Sequence, residues 1–449
     1  MTLSSVSPRA YKTKLAPDPV GLSIIIPGYN EEGAVAATVK RISAAAVCLA
    51  LGAVGGAYLL AKCLQLYGDP GFGFRYLWVA GRVWATGGSP NNAAFHSIAQ
   101  SFITHGHVPE VWSYPPSWWA ICVGLGSLGI EHAHLIWNLA NVAFMAGASL
   151  LLAHAFRAAF PNAASGFKPL DVVLGWPLAL ASLHLFLMAV FEPTAILLST
   201  GQTTAIVYFG IALLLYGLVT QRRTLSVLGL VLVFLKPQIG VAYAAVHVFL
   251  GKEERLQLAP AVAVSALLSV PALIADPGII GVFLKNASVH DSIMAADLSG
   301  AMTGVRHLSG GFGFPISTMV SVGVATAACV LLTTGPLRCN RSPNTAVRAW
   351  QTVSLTTAAL LALAPLHYYD FVIAGPLVFA VAAAPLLPRL IGAAGWLLML
   401  RADRLGMATG LYDKDIGCCQ GSFLATVGGF CILASVIGAA LRWGKSKNS

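Results

Sequence analysis

The chain has 449 residues, of which 57% are hydrophobic and only 10% are charged, and its mean hydropathy is +0.75. This composition excludes an ordinary soluble globular protein, in which about a quarter of the residues are charged. Apolar runs recur between Ser43 and Leu441, and a run of about 20 residues crosses the bilayer core as a helix. The sequence therefore predicts an all-α, polytopic membrane protein with about ten to twelve transmembrane helices.

The net charge of +10 does not indicate a nucleic-acid partner. Basic residues stand singly or in pairs at the ends of apolar runs, as at Arg222 and Arg223, where they are typical of cytoplasmic anchors facing membrane lipids. A nucleic-acid-binding protein would instead gather them in one patch. The eight cysteines include no C-x-x-C pair and no histidine spacing suited to zinc, so neither a disulfide framework nor a metal site is predicted.

Residues 1–42 are predicted to form a cytoplasmic tail without a cleavable signal peptide, so the first span, Ser43–Leu66, serves as the insertion signal. Within this tail, Leu22–Ile42 contains S-I-I-I-P-G-Y-N-E-E and resembles the opening strand, turn and helix of a family 2 glycosyltransferase. A nucleotide-sugar-binding domain needs about 100 to 200 residues, but here the likeness ends at the first span. The tail is therefore interpreted as a remnant that binds no nucleotide sugar.

The segment Tyr67–Pro116 follows the first span and is predicted to lie on the outer face, because positive residues precede that span. Phe74–Ala85 is amphipathic and is predicted to form a surface helix, with Trp78 and Trp84 in the membrane interface. Tyr114 and the two prolines that follow it are predicted to break the chain and shape the loop. Titratable side chains are concentrated in this loop, which makes it the first place to look for chemistry.

The rest of the chain alternates apolar runs with short polar breaks. Ser117–Ile130 is either re-entrant or fully spanning, and the positive residues that follow leave both possibilities open. Lys236 and Pro237 interrupt a helix between two short apolar stretches. Residues 43–387 are interpreted as the membrane domain and 388–449 as a C-terminal membrane-associated region. Further spans are predicted at Leu135–Ala155, Val172–Val190, Thr203–Val219, Leu258–Ala275, Ile316–Leu332, Val353–Ala364 and Phe371–Leu387, with a polar break at Glu192–Gln202.

Several motifs in a fixed order resemble glycosyltransferase family 87. They are A-G-R in the first loop, S-Y-P-P at its end, G-Q-T-T opening a helix, F-L-K-P-Q-I-G, and a final A-P-L-H-Y-Y-D. The likeness covers roughly residues 67–387, and the G-Q and K-P-Q pair is its most specific part. The resemblance implies a GT-C fold and an enzyme that uses a polyprenyl-phosphate sugar donor outside the cytoplasm. The sugar is mannose or another hexose, with arabinose as an alternative, and the acceptor is a lipid or a glycan.

The resemblance implies a catalytic aspartate directly before the first-loop helix, a position that holds Gly73 in this sequence. Asp69 lies four residues earlier and is the predicted general base, since a carboxylate can take the proton of the attacking acceptor hydroxyl. Two alternatives stay open: the base is a different residue, or it is absent. By composition alone, Asp69 before Pro70 is also typical of a turn.

The remaining candidates are predicted to bind substrate. Negative charge builds on the leaving phosphate, so Lys236 is predicted to stabilise it, with Gln202 donating a hydrogen bond to phosphate or sugar. Arg75 and Arg82 are predicted to hold phosphate, with lipid headgroups as the alternative ligand. No cofactor or divalent metal is required, because a lipid phosphate leaves without one. The other predicted binding residues are His367, Asp370 and Tyr114.

Two other functions remain possible from the sequence. A lipid-linked-sugar flippase or small-solute transporter would show an internal repeat and polar residues at mid-membrane depth, and no convincing repeat is visible. A degenerate family member acting only as a partner subunit is the second alternative, and the glycine at position 73 favours it.

Overall fold

The computed structural model describes residues 31–90, 93–102, 112–161, 176–294, 298–301, 318–335, 344–409 and 421–443. These ranges contain helices and no β-strand, which confirms the all-α class; the backbones of Leu298 and His367 form one isolated antiparallel bridge. Contacts divide the chain into two units between Ser43 and Ala44. The predicted boundary at residue 388 stays a prediction, as do the roles given to the two flanking regions.

The first half of the described chain contains helices of very different length. The longest carry the membrane spans. The elements of this half are α1 (Glu31–Gln65), α2 (Phe72–Ala85), α3 (Ala93–Phe102), a 3-10 turn at Pro116–Trp118, α4 (Trp119–Gly126), α5 (Ile130–Ala159), α6 (Pro177–Val190), α7 (Glu192–Thr200) and α8 (Thr204–Val219).

The second half continues the same pattern, with a 3-10 segment between two of its helices. The elements are α9 (Arg223–Phe234), α10 (Pro237–Leu250), α11 (Lys252–Ala275), α12 (Ile279–Met294), α13 (Thr318–Thr334), α14 (Thr345–Leu363), the 3-10 segment Tyr368–Ala374, α15 (Gly375–Ala382), α16 (Leu386–Leu400), α17 (Ala402–Ala408) and α18 (Gly421–Trp443).

Within the described ranges, four stretches are long and apolar enough to cross a membrane, namely Ile42–Gln65, Ile130–Ala159, Lys252–Ala275 and Phe423–Arg442. The pair α6 and α7 passes the same test but bends by 67°, at a junction where Pro193 lies in the first turn of α7. The segment Glu192–Gln202, which was predicted to be a polar break, is therefore helical as far as Thr200. The described ranges also contain six shorter apolar helices of 10–17 residues. The chain is a polytopic membrane protein, and the exact number of spans stays a prediction.

Helix α2 exists as predicted, but its location is not at the surface. Phe74 is fully buried, and Trp78 and Trp84 are 2% and 5% exposed. The Trp78 indole N–H donates to the carbonyl of Leu128 at 3.0 Å. The prediction of an interfacial helix was therefore wrong, because an amphipathic pattern with tryptophans also suits a helix packed inside a protein.

Close packing of α2 depends on two glycines. A Cβ on Gly81 would overlap the carbonyl of Cys122 in α4, and a Cβ on Gly126 would lie 2.6 Å from the backbone nitrogen of Arg82. Small residues let helix backbones approach each other in this way in membrane proteins. Since α4 has only eight residues, it rises about 12 Å, and it does not span the bilayer by itself.

Candidate functional site

A cavity of about 840 Å³ lies where α2, the 112–118 segment, the α7–α8 and α9–α10 junctions and the 365–369 segment meet. Its wall includes both polar and apolar side chains. The polar side chains include Tyr114, Gln202, Lys236, Gln238, His367 and Asp403. The apolar side chains include Val241, Phe283, Leu284, Met319 and Val322.

Lys236 reaches this cavity because the chain breaks between α9 and α10. Lys236 is the residue before α10 and has an extended backbone, with φ −119° and ψ 95°. Pro237 follows in the first turn, where its missing N–H costs no helical hydrogen bond. The Trp118 indole N–H donates to the carbonyl of Leu235 at 2.9 Å and fixes the end of α9. The predicted interruption of the helix is confirmed.

The anionic partner of Lys236 is a protein carboxylate. Lys236 forms an ion pair with Asp370, and their side chains are 7% and 0% exposed. The hydroxyl of Thr204 lies 2.9 Å from Lys236 Nζ and donates to Asp370 Oδ1 at 2.5 Å. Asp370 Oδ2 accepts the backbone N–H of His367 at 3.3 Å. A buried charge is tolerated when it is paired and hydrogen-bonded in this way.

The sequence interpretation gave Lys236 a lipid phosphate as its counter-ion. Asp370 fulfils that need in this structure, so the pair has no net charge before any substrate arrives. The Lys236 Nζ atom also lies 5.0 Å from the centroid of the Tyr369 ring, and this ring stacks on His367 with centroids 5.0 Å apart. Lys236 and His367 line the cavity, with Asp370 behind Lys236.

Gln202 is fixed from two sides. Its backbone carbonyl accepts the Asn141 amide at 3.3 Å, and the Trp137 indole donates to the neighbouring Gly201 carbonyl at 3.0 Å. Gly201 has φ +68° at the end of α7, a conformation that glycine adopts without strain. The side-chain oxygen of Gln202 accepts the Tyr114 hydroxyl at 3.3 Å. Burial, followed by the negative charge of Asp370, raises the pKa of Tyr114, so its phenol stays protonated and donates.

Gly73 also lines the cavity and directly faces Gln202. A Cβ at this position would lie 2.8 Å from Gln202 Cδ and 2.9 Å from the carbonyl oxygen of Thr200. A side chain at Gly73 would therefore require both groups to move. The volume that the family resemblance assigns to a catalytic aspartate is occupied by the amide of Gln202.

Four predicted residues do not line the cavity, and one of them, Asp370, contacts Lys236, which does. Asp69 is exposed in the turn before α2. Arg75 donates to the carbonyl of Pro70 at 2.9 Å, and Arg82 donates to the carbonyl of Gly126 at 3.3 Å. The structure thus gathers Tyr114, Gln202, Lys236, Asp370 and His367 at the cavity and leaves Asp69, Arg75 and Arg82 outside it. The roles of all eight stay predictions.

The sequence analysis missed a second polar cluster, of which Tyr368 and Asp403 line the cavity. Glu192 is 7% exposed, and its Oε2 atom accepts the Tyr368 hydroxyl at 3.1 Å and the backbone N–H of Asp403 at 3.2 Å. Arg404 Nε lies 3.6 Å from Glu192 Oε1. One signal was available: an acidic residue at the junction of two apolar helices is costly in a membrane unless it has partners.

Within the described ranges, no group of three His, Cys, Asp or Glu side chains is arranged to hold a metal ion. The prediction that no metal or cofactor is needed stays a prediction. Comparisons with models of known families, with curated proteins and with solved structures find no match for this chain. Its function is therefore argued from the geometry of the cavity and from the motifs that line it.

Proposed function

We propose that the chain is a glycosyltransferase of the cytoplasmic membrane. It transfers mannose or another hexose, or alternatively arabinose, from a polyprenyl-phosphate donor to a lipid or glycan acceptor on the outer face. The motifs that resemble family 87 support this proposal because four of them contribute side chains to one cavity, namely S-Y-P-P, G-Q-T-T, F-L-K-P-Q-I-G and A-P-L-H-Y-Y-D. The GT-C fold belongs to the same proposal.

The observation that carries the proposal is that the cavity wall combines polar side chains with apolar side chains that are exposed on the surface of the chain. Val241, Leu284 and Met319 line the cavity, yet they are 49%, 50% and 56% exposed on the surface of the chain. In a membrane protein, such exposed apolar side chains face lipid. A donor with a sugar phosphate at one end and a long hydrocarbon chain at the other matches both kinds of side chain.

In this proposal the polar side chains bind the phosphate and the sugar. The leaving phosphodiester becomes a phosphomonoester and gains negative charge, which Lys236 stabilises in the low-dielectric interior. Asp370 and Thr204 hold the ammonium group in position before the donor arrives. The Gln202 amide, oriented by Tyr114, donates a hydrogen bond to phosphate or sugar.

The test is transfer of radiolabelled sugar from synthetic polyprenyl-phosphate mannose to a lipid extract by membranes containing the protein. We expect transfer by the wild type and a loss of at least about 100-fold in Lys236→Ala, the size typical of removing one group that stabilises transition-state charge. Lys252→Ala is the matched control, because Lys252 is exposed and lies outside the cavity.

Lack of transfer by the wild type with mannose, other hexose and arabinose donors would refute the enzymatic proposal. Movement of a fluorescent polyprenyl-phosphate sugar across proteoliposomes would then support the flippase alternative. Equal transfer by Lys236→Ala and the wild type at equal expression would show that Lys236 does not stabilise the phosphate.

A further inference from the structure

The wall of the cavity contains a carboxylate that the family resemblance does not account for. Asp403 is partly exposed and, among the described residues that line the cavity, is the one acidic side chain. It belongs to α17, which lies beyond residues 67–387, the part of the chain that resembles family 87. Sugar transfer needs a group that accepts the proton of the acceptor hydroxyl, so this residue is a candidate for that role.

Among the described residues, two carboxylates suggested by the sequence fit that role less well. Asp69 is exposed and lies outside the cavity wall. Asp370 is fully buried, and its two oxygens already accept hydrogen bonds from Lys236, Thr204 and the backbone N–H of His367. Protonation of Asp370 would leave Lys236 as an unpaired buried charge, which is costly.

Among the described residues of the cavity wall, His367 is a second titratable side chain that could accept a proton. Its side chain accepts the backbone N–H of Asp370 in a capping arrangement at the start of the 3-10 segment. This bond occupies the acceptor nitrogen of a neutral imidazole, since the second ring nitrogen then carries the proton. His367 is therefore better placed to orient a substrate than to take its proton.

Backbone hydrogen bonds hold Asp403 in the cavity wall. The backbone N–H of Ala402 donates to the Tyr368 hydroxyl at 2.9 Å, and the N–H of Asp403 donates to Glu192 at 3.2 Å. Tyr368 itself lines the cavity and precedes Asp370 by two residues. The same short segment thus positions both the start of α17 and the carboxylate that pairs with Lys236.

We propose that Asp403 is the general base of the sugar transfer, an inference that rests on the proposed function. The Asp403 carboxylate takes the proton of the acceptor hydroxyl while the hydroxyl oxygen forms a bond to the anomeric carbon. The bond between that carbon and the donor phosphate oxygen breaks, and its electron pair leaves with the phosphate. The products are the glycoside, a polyprenyl phosphomonoester and a protonated Asp403. The total charge is conserved, because the carboxylate loses the negative charge that the phosphate gains, and Lys236 stabilises the phosphate.

The experiment compares Asp403→Asn, Asp403→Glu and Asp69→Asn with the wild type in the transfer assay, together with binding of the donor to purified protein. We expect Asp403→Asn to lower kcat by at least about 100-fold while donor affinity stays within about twofold. Asp403→Glu should recover part of the activity. If Asp403 is the base, the transfer rate of the wild type should fall at acidic pH, and this fall should be absent from the residual activity of Asp403→Asn.

Asp276→Asn is the matched control, since Asp276 lies outside the cavity wall and accepts hydrogen bonds from Ser89 and from the backbone of Gly278. Near-normal kcat in Asp403→Asn would overturn the inference, and so would a parallel loss of donor binding and transfer. Loss of transfer confined to Asp69→Asn would assign the base to Asp69. An active wild type with an active Asp403→Asn refutes this inference alone, whereas an inactive wild type refutes the proposed function with it.

Discussion

The two polar clusters differ in how far their charges reach solvent. The pair of Lys236 and Asp370 is closed, with both side chains at most 7% exposed. The cluster around Glu192 is graded, which means that its exposure to solvent increases from one partner to the other: the side chain of Glu192 is 10% exposed and that of Arg404 is 70% exposed. The comparison indicates that removing one partner of the first cluster leaves a buried charge unpaired. In the second cluster, water can replace the exposed partner, Arg404.

The largest effect is expected from removing one partner of the buried pair of Lys236 and Asp370. Asp370→Ala leaves Lys236 buried without a counter-ion and should lower the free energy of unfolding by about 3–5 kcal/mol. Thermal unfolding of purified protein in detergent measures the change. The double variant Lys236→Met with Asp370→Asn should recover most of the stability, because it removes both charges, but it should not recover sugar transfer. An unchanged unfolding temperature in Asp370→Ala would contradict the assignment of a buried pair.

An intermediate effect is expected from Tyr368→Phe in the second cluster. The change removes the hydroxyl that accepts the Ala402 N–H and contacts Glu192, leaving a buried N–H without its acceptor at a cost of about 1–3 kcal/mol. The start of α17 should loosen, so kcat for transfer should fall more than donor affinity does. Tyr58→Phe is the control, since Tyr58 is 47% exposed. A transfer rate equal to that of the wild type would show that the position of α17 does not affect the reaction.

The smallest effect is expected at the outer end of the graded cluster. Arg404→Ala removes a partner of Glu192 that is 3.6 Å away and mostly exposed, and such ion pairs contribute about 0–1 kcal/mol. The unfolding temperature should therefore change little and depend little on salt. A loss as large as that of Asp370→Ala would show that Glu192 relies on Arg404 rather than on Tyr368 and the backbone of Asp403.

Several features could be predicted from the sequence because they depend on local pattern. Long apolar runs predicted the helical membrane fold, and a lysine followed by proline predicted the break between α9 and α10. Pairing across long distances could not be predicted in the same way. Asp370 lies 134 residues from Lys236, and both were expected near one site, but the ion pair depends on how three helix ends pack.

The location of α2 illustrates a different limit. Its apolar and aromatic residues suit either a membrane interface or a protein interior, and the decision depends on the glycine contact with α4, which lies more than 40 residues away. Asp403 was missed for a related reason. Its partner Glu192 is 211 residues distant, and nothing in the sequence around either residue indicates the other.

Gly73 and Gln202 are in such close contact that side chains at these two positions compete for the same space. A chain with a larger residue at position 73 has to carry a smaller or differently oriented residue at position 202, so the two positions are expected to vary together among related proteins. Each arrangement would place a different chemical group, a carboxylate or an amide, at the same point of the cavity. A change in the reaction could therefore be reached only through two linked substitutions, with a poorly packed chain as the intermediate step.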